Sequence, residues 1–328
     1  MKKLSILIIS ILSAALLFGC GKAQEAETPA ESPAAASSEP VAASEPLNPT
    51  GGSVKIGDYT LTAEFIKLDE PITVSSDSVP NMDLFGDKLY IGDGKSTVYE
   101  YTFDGSKPTL VKKLAIENGD GISVDKDGHI YANGGVFAAK IYDGENQIGE
   151  AAAKGNAYMS KKEDFGLTYF SGRDEVTKMS GGTSSPWVIT NLKGEGSGTF
   201  KGSIKAINIV DDHVLVVGDT ADGQKLAVFD TAGNRIVMGT EKLFGNGISA
   251  LTETANGYIT ASTGTIHLSA KDGTYLEKAT ATKALFGTEN PVWLKKLIPL
   301  SDGSVLAIGG TKRADDTSEA LLYKIKGF

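Results

Sequence analysis

From Ser53 onward, short runs rich in Val, Ile, Leu, Tyr and Thr alternate with Asp-Gly, Asn-Gly and Gly-Gly turn signals, and long helical periodicity is nearly absent. Runs of that length, punctuated by such dipeptides, predict strands joined by tight turns. The clearest hairpin is Gly121-Ile122-Ser123-Val124, turn Asp125-Lys126-Asp127-Gly128, then His129-Ile130-Tyr131-Ala132. A type I turn closed by Gly accounts for its spacing. The same hairpin recurs at residues 84–91, 162–169, 207–216, 251–260 and 297–306. Its turn positions, Asp87, Gly128, Gly166, Asp212, Gly257 and Gly303, are separated by 41, 38, 46, 45 and 46 residues. A near-constant period in an all-β segment predicts a six-bladed β-propeller.

Each unit continues into a third strand closed by a further turn. Residues 98–103 meet Asp104-Gly105, 139–142 meet Asp143-Gly144, 226–229 meet Asp230 through Gly233, and 266–268 lead to Asp272-Gly273. A fourth, more variable strand follows, as at 109–115. The last unit makes its third strand at 321–325 and has no fourth before Phe328, whereas 59–68 reads as a strand with no hairpin partner of its own. The expectation is that this N-terminal strand supplies the outer strand of the last blade. A ring closed by mixing its two ends leaves no free edge at the join.

The texture before Ser53 is different. Met1-Lys2-Lys3 gives a cationic start, and residues 4–18 follow without a charge up to Gly19-Cys20. That apolar stretch is short for ~30 Å of hydrocarbon at ~1.5 Å per helical residue. It reads as a secretory signal segment. Leu17-Phe18-Gly19-Cys20 resembles the bacterial lipoprotein cleavage box, and Cys20 is the only cysteine of the chain. The resemblance implies that Cys20 becomes the first mature residue and carries a diacylglycerol thioether and an N-acyl group. Two or three acyl chains, at about 0.8 kcal/mol per buried methylene, anchor a protein durably. Gly21 after the cysteine, by the same resemblance, favours an outer over an inner membrane in a two-membrane cell. Residues 24–49 are dominated by Ala, Glu, Ser and Pro and contain no aromatic residue. Such a stretch buries too little apolar surface to offset its ordering entropy, so it reads as a disordered tether. The organisation expected is therefore a signal peptide over 1–19, a lipidated Cys20 and tether over 20–52, and a propeller over 53–328.

The hairpin at 121–131, followed by Lys140-Ile141-Tyr142-Asp143-Gly144, resembles an NHL-type propeller repeat. The other five units match it only in the hairpin and the closing Asp-x-Gly turn. The resemblance implies six blades, an axial channel and a ligand face at its mouth. It implies no single activity, because related propellers include RNA binders, sensor domains, lyases and gluconolactonase-type metal hydrolases.

Charge narrows the partners. The net charge of −9 argues against nucleic acid, since neutralising phosphates requires a basic surface. One cysteine excludes a disulfide scaffold or a thiolate metal centre. The partners expected are the membrane, through the lipid on Cys20, and an envelope protein, peptide or glycan met by a monomeric propeller. No cofactor and no metal is expected.

Candidate chemistry is sparse. The innermost strands begin with polar residues: Asn81, Asp83, Asn118, Asp120, Asn156, Asn246 and Asn290. Together they could ring the channel mouth and, with Arg173, bind a ligand; Asn and Asp before a strand also satisfy turn backbone. Gluconolactonase-type hydrolases would use such oxygens around one divalent cation, with a bound water activated there. No Glu stands early on the first innermost strand, where those enzymes want one. His129, His213 and His267 are the only histidines, the first two at hairpin tips, which disfavours zinc. Gly-x-Ser-x-Gly with a His partner is absent. Gly94-Lys95-Ser96-Thr97 and Asp125-Lys126-Asp127-Gly128 mimic a phosphate loop and a calcium loop but lack their glycine spacing, and both read as turns. The loops at 92–96, 133–136, 171–174, 218–223, 262–264 and 309–317 share the rim, with Lys95, Arg173, Lys312 and Arg313 as cations. The reading favoured is non-catalytic binding of a ligand or partner; the alternative is a divalent-metal-dependent hydrolase or lactonase at the channel mouth.

Overall fold

Antiparallel neighbours can be joined by two to four residues, whereas parallel ones need a long crossover, so the short turns of this chain dictate meanders. The computed structural model describes residues 47–328 apart from 76–79, 120, 172, 174, 188–199, 221–222, 241, 244–246, 280–281 and 314–316. The expected signal segment, Cys20 and the tether up to residue 46 lie outside the described residues.

The chain opens with β1 (Gly52–Ile56), β2 (Tyr59–Ile66) and β3 (Thr73–Ser75). Blade one is β4 (Asn81–Phe85), β5 (Lys88–Gly92), β6 (Val98–Phe103) and β7 (Pro108–Leu114). Blade two is β8 (Ile122–Val124), β9 (Ile130–Ala132), β10 (Ala138–Asp143) and β11 (Asn146–Lys154). Blade three is β12 (Asn156–Met159), β13 (Gly166–Phe170), β14 (Glu175–Ser180) and β15 (Thr183–Pro186). Blade four is β16 (Phe200–Val210), β17 (His213–Thr220), β18 (Gly223–Asp230) and β19 (Arg235–Met238). Blade five is β20 (Ala250–Glu253), β21 (Gly257–Ser262), β22 (Thr265–Ala270) and β23 (Tyr275–Ala279). After the short helix α1 (Thr282–Phe286), blade six is β24 (Trp293–Pro299), β25 (Val305–Lys312) and β26 (Thr317–Lys326). Five blades pair their strands in chain order; the sixth runs β24-β25-β26-β2-β1, with β3 also on β26. This is the six-bladed β-propeller expected from the repeat. Among the described residues, no helix is long and apolar enough to cross a membrane.

The two ends close the ring as predicted. β2 pairs antiparallel with β26, Thr62 opposite Lys326 and Ile66 opposite Leu322. One detail differs: β2 is not partnerless, because β1 folds back on it through Gly57-Asp58, with Ile56 opposite Tyr59. Gly57 has φ of 58°, a left-handed conformation that glycine adopts without a steric penalty. Gly51 and Gly52 fall in the expected tether, which ends at residue 52, and a five-residue strand gives little periodic signal.

The strands are apolar on both sides because each blade is covered on both. In β17, Val214 and Val216 join Phe165, Leu167 and Trp187 towards blade three. Their neighbours Leu215 and Val217 join Leu251 and Tyr258 towards blade five. Period-two alternation thus splits one strand between two interfaces, as it does in β25, where Val305 and Ala307 face one neighbour and Leu306 and Ile308 the other. Each buried Val or Leu of this kind contributes about 1.5–3 kcal/mol. Trp187 is buried between blades and meets Phe229 edge-on at 5.7 Å.

Candidate functional site

The innermost strands β4, β8, β12, β16, β20 and β24 surround the axis, and every blade reaches an axial cavity of about 390 Å³. Blade one gives Asn81, blade two Gly121 and Ile122, blade three Asn156 and Tyr158, blade four Lys205, blade five Ser249, and blade six Lys295 and Lys296. A second cavity of about 170 Å³ is bounded by Asp83, Ser123, Lys161 and Asn208, and shares Tyr158 and Lys296 with the first.

Where the two cavities share walls, polar groups knit the blades together. Asp83 of β4 is buried and accepts from the Val124 N–H of blade two at 2.7 Å and from Ser123 Oγ at 3.3 Å. Lys161 of blade three bonds both Asp83 Oδ2 and the Val124 carbonyl. On the far side Asn208 of β16 donates to the Leu251 carbonyl of blade five at 2.9 Å and to the Leu297 carbonyl of blade six at 3.3 Å. Its Oδ1 in turn accepts from Lys296 Nζ at 2.8 Å. Burial raises the Asp83 pKa, but Lys161, Lys296 and the Val124 N–H outweigh it and hold the carboxyl below its usual range. Burial also depresses Lys296, and nearby Lys161 and Lys295 add to this, while Asp83 opposes it. Asp83 is thus the counter-charge that Lys161 and Lys296 share. Burial pushes Tyr158 up to about 12, so its hydroxyl stays protonated across physiological pH.

The residues singled out from sequence fall in different places. Asn81 and Asn156 line the larger cavity and Asp83 the smaller. Asn118 is buried but lines neither: its Oδ1 accepts the Gly94 N–H at 2.7 Å, and its amide donates to the Thr97 and Ile116 carbonyls at 2.9 Å each. It ties loop backbone in the way Asn before a strand commonly does. Asn290 donates to the Lys312 carbonyl at 3.0 Å on the exposed loop before β24. Arg173 borders a separate hollow with Lys154, Phe170 and Glu175. Asp120 and Asn246 lie outside the described residues.

Lys161, Lys205, Asn208, Lys295 and Lys296 went unnoticed in sequence. The available signal was a pair of lysines inside the otherwise apolar innermost strand at 293–299, and one between Ile204 and Ala206. The loop mimics are turns: Asp93 Oδ1 accepts from the backbone N–H groups of Lys95, Ser96 and Thr97, at 2.8, 3.0 and 3.1 Å. Asp125 Oδ1 likewise accepts from Asp127 and His129, both at 2.9 Å. Asp125, Asp127 and His129 are, among the described residues, the one cluster of such side chains close enough to share a metal ion, yet none of them lines either cavity. Among the rim cations, Arg313 pairs with buried Glu319 at 2.8 Å, which removes it from an open platform.

No protein family matches the sequence, and no curated protein does. Among solved structures, the chain is similar to the WD40 β-propeller domain of Doa1, at 14% identity and a TM-score of 0.50, covering 84% of this chain and 94% of that one. The computationally designed Ika8 protein matches at 13% identity and a TM-score of 0.41, over 77% of this chain and all of that one. At such identity the Doa1 likeness shows the β-propeller fold alone.

Proposed function

We propose that this chain is a membrane-anchored lipoprotein of the bacterial envelope whose propeller recognises a ligand or partner without catalysis, at its axial channel. The observation that carries the reading is the state of Asp83. This axial carboxylate is already engaged by Lys161, Ser123 and the Val124 N–H, so it serves as a fastener between blades. A hydrolytic site would need it facing a cation or an attacking water. The cavity itself has the size of small-ligand sites, which run to about 300–1,000 Å³. The anchor rests on the cationic start, the apolar stretch and Cys20.

The test is a calcium and magnesium titration of the purified full chain, with lactone hydrolysis assayed in parallel. The expected result is no metal-dependent stabilisation and no turnover. Stoichiometric calcium accompanied by calcium-dependent lactone hydrolysis would instead establish the hydrolase. For the anchor, palmitate labelling is expected in the native chain and absent in Cys20→Ser; labelling that persists in the variant refutes it.

A further inference from the structure

Two innermost strands break register at a lysine. Along β24, Leu294 pairs with Gly309 and Lys296 with Ile308, so Lys295 is an extra residue with no counterpart on β25. Along β16, Ile204 pairs with Gly218 and Ala206 with Val217, so Lys205 is the extra residue there. A bulge lets successive side chains escape strict alternation and re-aims one of them. The consequence is visible in the lining: Lys295 and Lys296, adjacent in sequence, both reach the larger cavity, and Lys205 reaches it from blade four. In a chain with a net charge of −9, the described lining of this cavity contains three lysines and no Asp or Glu.

The neutral groups point the same way. Asn81 Oδ1 accepts the Met82 N–H at 2.9 Å, and Asn156 Oδ1 accepts the Gly135 N–H at 2.8 Å. Each oxygen has one of its two lone pairs committed to backbone, so the NH2 donors are the larger share of what these side chains offer the cavity. A cation would want the oxygens; an anion wants the donors. Lys205 also pairs with Asp219 at 3.1 Å, and Lys296 with Asn208, so a ligand would meet lysines already steadied by the fold.

We propose that the axial cavity binds a small anion carrying carboxylate or phosphate groups, held by Lys205 and Lys295 and by the amides of Asn81 and Asn156. This rests on the channel being a recognition site and names the class of its ligand. Citrate and inorganic phosphate are the probes, applied to the full chain beside glucose and sodium chloride of matched ionic strength. At a hundredfold excess over Kd, the melting temperature rises by about 5 °C. Glucose and matched salt leave it unchanged. A response to citrate alone identifies a carboxylate ligand, and a response to phosphate alone a phosphate one. In the Lys205→Gln/Lys295→Gln double variant, affinity falls about tenfold or more. Lys107→Gln, on an exposed turn, leaves it as it was. In case the double variant does not fold, the native chain is treated with an amine-acetylating reagent: the bound anion slows acetylation of Lys205 and Lys295 at least threefold and leaves Lys107 unaffected.

Absence of any shift beyond matched salt, an undiminished shift in the folded double variant, or unprotected lysines would each overturn the anion assignment. The recognition reading fails separately, on calcium-dependent lactone hydrolysis.

Discussion

Between blades five and six, Leu61, Ile266, Leu294, Leu297, Leu321 and Tyr323 are fully buried around the N-terminal hairpin and α1, with the Phe286 and Tyr323 rings 4.6 Å apart. Between blades two and three the buried apolar cluster is Ala139, Ala151, Met159 and Met179. Directional contacts compensate there. Gly155 donates to the Phe137 carbonyl at 2.9 Å, Gly135 to Asn156 Oδ1 at 2.8 Å and Met159 to Ser123 Oγ at 3.0 Å. Lys161 reaches across to Asp83 and Val124. The seam where the chain ends meet is sealed by area. The thin seam is sealed by polar groups, of which Asn156 lines the larger cavity and Ser123 and Lys161 the smaller.

The difference can be broken most severely at the join. Deleting residues 53–70 removes buried Ile56, Leu61, Ala63 and Ile66 and leaves the facing strand β26 uncovered. At about 1.5–3 kcal/mol for each large buried side chain, the loss is of order 5 kcal/mol or more. Cooperative thermal unfolding is expected to disappear; an unchanged melt would refute closure by the N-terminal strand.

Point truncations sharpen it. Tyr323→Ala in the thick seam is expected to cost about 3–5 kcal/mol and Met179→Ala in the thin one about 2 kcal/mol, by urea denaturation. Equal costs would erase the distinction. Gly155 comes next: its φ is 116°, and a Cβ there would lie 2.5 Å from the Tyr169 carbonyl. Gly155→Ala should therefore cost about 1–3 kcal/mol. Gly86→Ala, at φ 61° with open space around it, should cost less because only the backbone conformation is strained.

The smallest effect is the pH dependence. Asp83 has its pKa lowered on folding, so the unfolded chain takes up the proton first. Its contribution is complete above the unfolded value of about 3.8 and is lost as pH falls through the lower folded value. Hydrogen exchange below pH 4 is expected to rise in blades two and three before blades five and six, and Asp83→Asn to flatten that part of the acid slope. Uniform loss of protection round the ring would show that the thin seam does not depend on the charge.

The hairpins, their spacing of 38 to 46 residues and the pairing of β2 with the last blade could be read from the chain. Turn glycines such as Gly128, at φ 88°, and two-residue periodicity are local properties that each segment declares for itself. The channel was only partly legible. Asn81, Asn156 and Asp83 were found by their place before or within innermost strands, yet Asn118 holds a loop and Asn290 lies on another. The lysines were missed because alternation forbids Lys295 and Lys296 a common side, and only a bulge, set by how β24 registers on β25, allows it.

What the amino-acid sequence determined alone is the sixfold meander and its turns, because a turn needs only the φ preferences and hydrogen bonds of four neighbouring residues. Which polar side chains converge on the axis was decided by tertiary structure. Asp83, Lys161, Asn208 and Lys296 lie tens of residues apart, and their meeting depends on the angle between blades and the register of each strand, which no local stretch encodes.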